Sequence, residues 1–197
     1  MPLTKIQSLG ITDGTIVNAD INASAAIAST KLSGSLGKIL QVLQVTKTDS
    51  FTTTSNSFVD ITGFSVSITP SSISNKILVM VTMSAANAGG DINHAYFQLV
   101  RNSTAIFNAD TAGSRTSATK VVNTSTAGVT ESIGINFLDS PATTSSTTYK
   151  IQVLASGSGL SANVNRSGRD NDGSGYDGRS VSSITVMEIA AWLQKQF

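Results

Sequence analysis

The stretch of this sequence richest in groups that could do chemistry runs from Asn165 to Arg179, where three arginines and three aspartates are interspersed with four glycines. Asp170, Asp172 and Ser174, followed by Gly175, match the first half of a calcium loop, in which oxygens at alternate positions converge on a hard cation around a sharp glycine turn. The second half departs from that pattern. Position twelve should be a glutamate and is Val181, so no metal is expected, and no cofactor is expected elsewhere. Two readings of the stretch stay open. Arg166, Arg169, Asp170, Asp172, Asp177 and Arg179 could offer paired polar groups to sugar hydroxyls or a charged glycan, with Tyr176 as an aromatic face. Alternatively the same arginines and aspartates neutralise one another, and the glycines mark turns.

Other catalytic constellations are poorly supplied. The single histidine, His94, stands at the mouth of a predicted strand, and no Gly-x-Ser-x-Gly elbow accompanies it. Asp139, Glu131 and the loop aspartates are the carboxylates from which a glycosidase pair would be drawn, and nothing in their spacing pairs any two. A phosphate-cradling P-loop is not formed at Gly37-Lys38, which isoleucine follows and which no glycine precedes at the required spacing. Thirteen basic and twelve acidic residues leave a net charge of +1, without runs of one sign. Nucleic acid is therefore not an expected partner. The opening Met1-Pro-Leu-Thr-Lys-Ile6 lacks the basic start and apolar run of a signal peptide, and no apolar run approaches the ~20 residues of a membrane span, so no membrane insertion is expected. There is no cysteine to staple a fold.

The elements that would position these residues are short strands. Charged residues make up only 13% of the chain while 40% is hydrophobic, and serine, threonine, glycine and asparagine supply the polarity, as strands and turns prefer. Segments 39–47, 58–62, 65–69, 76–84, 95–101, 105–108, 118–123, 132–138, 149–155 and 182–189 read as strands, at the spacing of an all-β sandwich or jelly roll. The tracts 48–57 and 140–148, rich in serine and threonine, read as solvated loops or edges. In 76–84, Ile77, Val79, Val81 and Met83 make one apolar face, yet Leu78 and Met80 make the other apolar too. A sandwich normally leaves its outer face wet, so this strand predicts a second contact, most simply another subunit. Ile133, Ile135 and Phe137 alternate with polar residues and glycine, and need only an inner core. Trp192 and Phe197 are expected to pack on this domain or on a neighbour.

Before Gly37 the pattern is different, and the chain divides there into residues 1–36 and 37–197. Ile6, Ile11, Ile16 and Ile21 recur every fifth residue, continued more loosely by Ile27, Leu32 and Leu36. Five matches neither the helix nor the strand period. Such a row suits a chain that turns repeatedly and places one isoleucine at a time on an axis shared with other copies, which predicts trimerisation through these seven residues. Residues 21–32 fit a short coiled-coil seam and an extended strand about equally well.

The stretch ITDGTIVNADINASAAIASTKL at 11–32 resembles the shaft repeats of fibre proteins from marine bacteriophages, cyanophages especially. NRSGRDNDGSGYDGRSVSSITVMEI at 165–189 is similar to the end of their globular tip, and KILQVLQVTKTDSFTTTSNSFVDITGFSVSITPSSISNKILV at 38–79 to its beginning. The resemblance implies a homotrimeric, non-enzymatic virion fibre. Its N-terminus would meet other virion proteins, and its short shaft would carry a tip of the tumour-necrosis-factor/C1q-like jelly-roll kind. Distal loops of that tip would touch a host-surface glycan or protein. Met1 leads almost at once into the ladder, so a capsid-decorating head fibre or an adaptor without receptor role stands beside a tail fibre. A glycan depolymerase is a further alternative.

Overall fold

A computed structural model describes residues 39–87, 93–157, 160–173, 175, 177–191 of the 197. The isoleucine ladder, residues 21–32, Ser174, Tyr176, Trp192 and Phe197 lie outside these. The chain divides after Gly37, and all that follows concerns the unit beginning at Lys38. Its described residues form eleven strands and no helix: β1 (Ile39–Lys47), β2 (Phe51–Thr53), β3 (Val59–Ile68), β4 (Lys76–Asn87), β5 (Ala95–Arg101), β6 (Thr104–Ile106), β7 (Lys120–Val122), β8 (Glu131–Asp139), β9 (Thr147–Ala155), β10 (Ala162–Val164) and β11 (Ser182–Ile189).

Register shows that several of these are pieces of longer strands. One edge of β4 pairs with β8, while the other pairs with β11 over 76–82 and with β10 over 85–87. β10 and β11 are therefore collinear, and residues 165–181 are an excursion from a single strand. β1 and β2 likewise run in line, opposite β11 and β10. In the second sheet β5 pairs with β9 on one edge and with β6 and then β7 on the other, so 107–119 is an excursion from a second interrupted strand. Counted this way, eight antiparallel strands lie in two sheets, β1/β2–β10/β11–β4–β8 and β3–β9–β5–β6/β7. That is the order of a jelly-roll sandwich.

Alternation of side chains fixes which face is inside. Ile77, Val79, Val81 and Met83 of β4, Ile133 and Ile135 of β8, and Ile184 and Val186 of β11 meet Phe64, Val66 and Ile68 of β3, Phe97 and Leu99 of β5, and Tyr149, Ile151 and Val153 of β9 in one core. Burial of each such side chain stabilises by about 1.5–3 kcal/mol. Segments 58–62 and 65–69, expected as two strands, are one strand, β3, interrupted by a bulge between Asp60 and Ser65. Gly63 takes the positive φ of 74° there, a conformation that side chains resist. The buried ammonium of Lys47 donates to the Thr62 carbonyl at 2.8 Å and to Asp49 at 2.8 Å, which ties β1 to the bulge. β2 falls within 48–57, expected as a loop or edge, and lies at a sheet edge; β10 has no counterpart among the expected strands, and at three residues is too short for a period to show.

Candidate functional site

Where the 165–181 excursion leaves the sheet, Asn165 takes over backbone partners of the interrupted strand. Its N–H donates to the Ser84 carbonyl at 2.9 Å, the position a continuous strand would have served. Its buried amide donates to the carbonyls of Lys47 and Asp49 at 2.8 and 3.0 Å, and its Oδ1 accepts from Ser182 Oγ. Ser182 Oγ in turn accepts from the Ser84 N–H at 3.3 Å. One residue at φ 60°, a conformation in which Asn is enriched, thus closes the gap between β10 and β11. A bridge between Arg166 and Arg179 closes the neck above it.

Beyond the neck the charged residues pair with one another. Asp177 accepts from Ser167 Oγ at 2.8 Å, from Arg169 Nε and Nη2 at 2.9 and 3.2 Å, and from the Asn171 N–H at 3.0 Å. Its side chain is 2% exposed. The Arg169 guanidinium, with help from Ser167 and the Asn171 backbone, holds its carboxyl down at about 2. Asp170 is gripped by Arg166 at 3.2 Å and Arg179 at 2.8 Å. Arg169 also donates through its N–H to the Ala127 carbonyl, and Gly128 lets its guanidinium lie close, since a Cβ there would stand 2.8 Å from Nη2.

The excursion is thus a braced loop against the β7–β8 connection, at the end of the sandwich opposite the start of β1. Of the residues singled out from sequence, the structure brings together Arg166, Arg169, Asp170, Asp177 and Arg179. Asp172 is set apart, exposed and held by no group among the described residues. A calcium ion at Asp170 would have to displace two arginines. Among the described residues, no three of the His, Asp and Glu side chains lie close enough to hold a metal.

The other catalytic candidates are scattered. Ser156 Oγ accepts from the backbone N–H of His94 at 2.9 Å, and the imidazole Nε2 lies 3.3 Å from the Asn123 amide, with the ring tilted against Tyr96 at 5.9 Å. Asp139 is buried at one end of β8, where Arg101 reaches both its oxygens at 2.9 Å and Tyr149 donates to it at 2.6 Å. Burial and that carboxylate push the Tyr149 phenol up. Glu131 stands at the other end of the same strand. Eight residues of strand separate the two by ~26 Å, too far to flank one glycosidic bond.

Outside the excursion, the two outer faces of the sandwich differ in chemistry. On the β1–β11–β4–β8 sheet, Val42, Met187, Leu78 and Leu138 are direct cross-strand neighbours in a single row. Val42 and Leu138 are each 52% exposed, and Ile39, Leu40 and Met80 extend the apolar area. In 76–84, Leu78 is half-buried by its neighbours in the sheet, while Met80 stays 37% exposed. β8 adds what its sequence pattern did not suggest, since Leu138 faces outward beside Leu78.

The other sheet carries a hydrogen-bonded row. Lys150 and Gln152 donate to Asp60 at 2.8 and 2.7 Å, Gln98 to Gln152 at 2.7 Å, Asn108 to Gln98 at 3.1 Å, and Thr119 to Asn108 at 2.9 Å. Neither row was identified from sequence. A second apolar face in 39–47, where Leu40 and Val42 alternate with Leu43 and Val45, was the signal available for the first.

No protein-family model matches the chain, and no curated protein matches it. Among solved structures it is similar to the crystal structure of the infectious bursal disease virus VP2 subviral particle, at 17% identity and a TM-score of 0.34, over 77% of this chain. The chain spans 38% of that protein's length. The class of the present protein rests on its own strand order: an all-β, antiparallel jelly-roll sandwich.

Proposed function

We propose that this is a structural protein of a bacteriophage particle, a homotrimeric fibre whose sandwich domain faces the host. The carrying observation is the apolar row Val42, Met187, Leu78 and Leu138, continued by Ile39, Leu40 and Met80. Water is a poor neighbour for such a face, and a second copy of the chain is the occupant that supplies a matching surface every time the protein is made. Three copies, a virion location and attachment to other virion proteins through the N-terminus follow from the resemblance of 11–32, 38–79 and 165–189 to phage fibres.

The braced excursion supports the attachment half of the reading. Its network braces the base from which Asn171 and Asp172 stand exposed, at the end of the sandwich away from the start of β1, and a braced base lowers the ordering cost of binding a glycan or protein. Sedimentation equilibrium of the purified full chain is expected to give three times the chain mass. A stable folded monomer overturns the fibre reading. Adsorption to host cells is expected to fall at least tenfold when Asn171→Ala and Asp172→Lys are combined, because neither side chain braces the loop; unchanged adsorption removes the receptor role from this loop and leaves a decorating fibre.

A further inference from the structure

The excursion contains two Asp–Gly pairs, Asp172–Gly173 and Asp177–Gly178, five positions apart in the chain, which sit in opposite environments. Aspartate followed by glycine is the pair most open to attack by the next residue's backbone nitrogen on the side-chain carbonyl carbon, because glycine has no Cβ to hinder the approach. At Asp177 that route is closed. Its carboxylate is 2% exposed and takes four hydrogen bonds, from Ser167, twice from Arg169, and from the Asn171 N–H, so it can neither rotate towards the Gly178 nitrogen nor readily take the proton that makes its hydroxyl a leaving group. At Asp172 both residues are exposed, and among the described residues no group holds the carboxylate. The Gly173 N–H donates only to the Asn171 carbonyl at 3.0 Å, a tight local turn that already folds the chain back on itself.

We propose that Asp172–Gly173 is a site of spontaneous succinimide formation and isoaspartate conversion in the folded protein, and that the Arg169–Asp177 pair protects the second Asp–Gly in the same loop. The Gly173 nitrogen bonds to Cγ of the protonated Asp172 carboxyl, loses its hydrogen, and one water leaves. Hydrolysis of the cyclic imide returns that water at either carbonyl, giving aspartate or an isoaspartate whose backbone is one methylene longer. No oxidant or cofactor takes part. The change moves a negative charge at an exposed part of the loop, and it stands whether or not the loop binds a host.

Ageing the protein at neutral pH and 37 °C, then cutting after arginine, releases one peptide containing both pairs (170–179, or 167–179 in Arg169→Ala), in which electron-transfer fragmentation locates isoaspartate. Conversion at 172 is expected to exceed that at 177 by roughly tenfold or more, the factor by which holding the Asp177 carboxyl down suppresses its protonated form. Arg169→Ala is expected to bring 177 up towards 172 while leaving 172 unchanged, and chain unfolded in urea to convert both alike. Equal conversion of the two in the folded wild-type protein, or none at 172 under conditions where the unfolded chain converts, overturns the proposal. The third pair, Asp13–Gly14, lies outside the described residues and in a different peptide.

Discussion

The outer faces of the two sheets are built on the same alternation and end in opposite chemistry. On one, Val42, Met187, Leu78 and Leu138 line up across four strands. On the other, the corresponding row is Asp60, Gln152 and Gln98, extended by Asn108 and Thr119 from the edge. Every side chain in the second row finds a partner within the molecule or stands in water, so that row is satisfied as it is. The first row has no such closure, because apolar side chains gain only by being covered. The apolar row is the contact that the proposed trimer would cover.

The largest break in that contrast comes from charge on the apolar row. Leu78→Lys combined with Leu138→Lys is expected to reduce the sedimenting mass to that of one chain, while Gln98→Leu with Gln152→Leu on the other face leaves it unchanged. Loss of assembly by both pairs, or by neither, removes the distinction between the faces.

A smaller effect comes from the lock that holds β1, the edge strand of the apolar face. Glu188 is fully buried and accepts from Gln41 at 2.6 Å, from Asn75 at 2.6 Å, and from the N–H and hydroxyl of Ser71 at 2.6 and 2.7 Å. Burial alone would raise its carboxyl, but these donors outweigh it and hold the group at about 2. Glu188→Ala leaves several buried donors unmatched and is expected to cost roughly 3 kcal/mol in a denaturant melt. In the wild type the unfolded chain takes up this proton first, near the ordinary glutamate value of 4.5. The stability from Glu188 is therefore full above that pH and drains away as pH falls towards 2. A melt series showing no such loss, or the same loss in Glu188→Ala, would remove the lock.

Smallest of the three, Gln98→Leu alone is expected to destabilise by about 1 kcal/mol, since Gln152 and Asn108 lose a partner but keep access to water. A cost several times larger would mean that the polar row is buried against something, and is not satisfied as it is.

The two excursions repeat the lesson on a smaller scale. At 107–119 the gap in the strand is closed by Thr119, whose N–H donates to the Phe97 carbonyl and whose hydroxyl accepts from the Leu99 N–H. Phe107, at φ 59°, stacks on Phe137 at 4.7 Å. At 165–181 the closure is Asn165, and the interior is ionic. In both, a polar side chain next to the break takes over backbone partners that the missing strand residues would have supplied.

Much of this fold was legible in the sequence because side-chain alternation is local. Segments 39–47, 95–101 and 182–189 coincide with β1, β5 and β11, and Ile77, Val79, Val81 and Met83 point inward as their spacing requires. The same locality made the surplus Leu78 and Met80 visible, and showed the arginines and aspartates of 165–179 as groups able to neutralise one another. Tertiary structure decided what depends on partners far away in the chain. Which arginine meets which aspartate, that β10 and β11 are one strand, that Leu138 and Val42 join Leu78 in a row, and that Glu188 is held by Ser71 across 117 positions are all set by strand order and register. No period of two residues records these, because a strand's alternation says which face a side chain takes and nothing about which strand lies beside it.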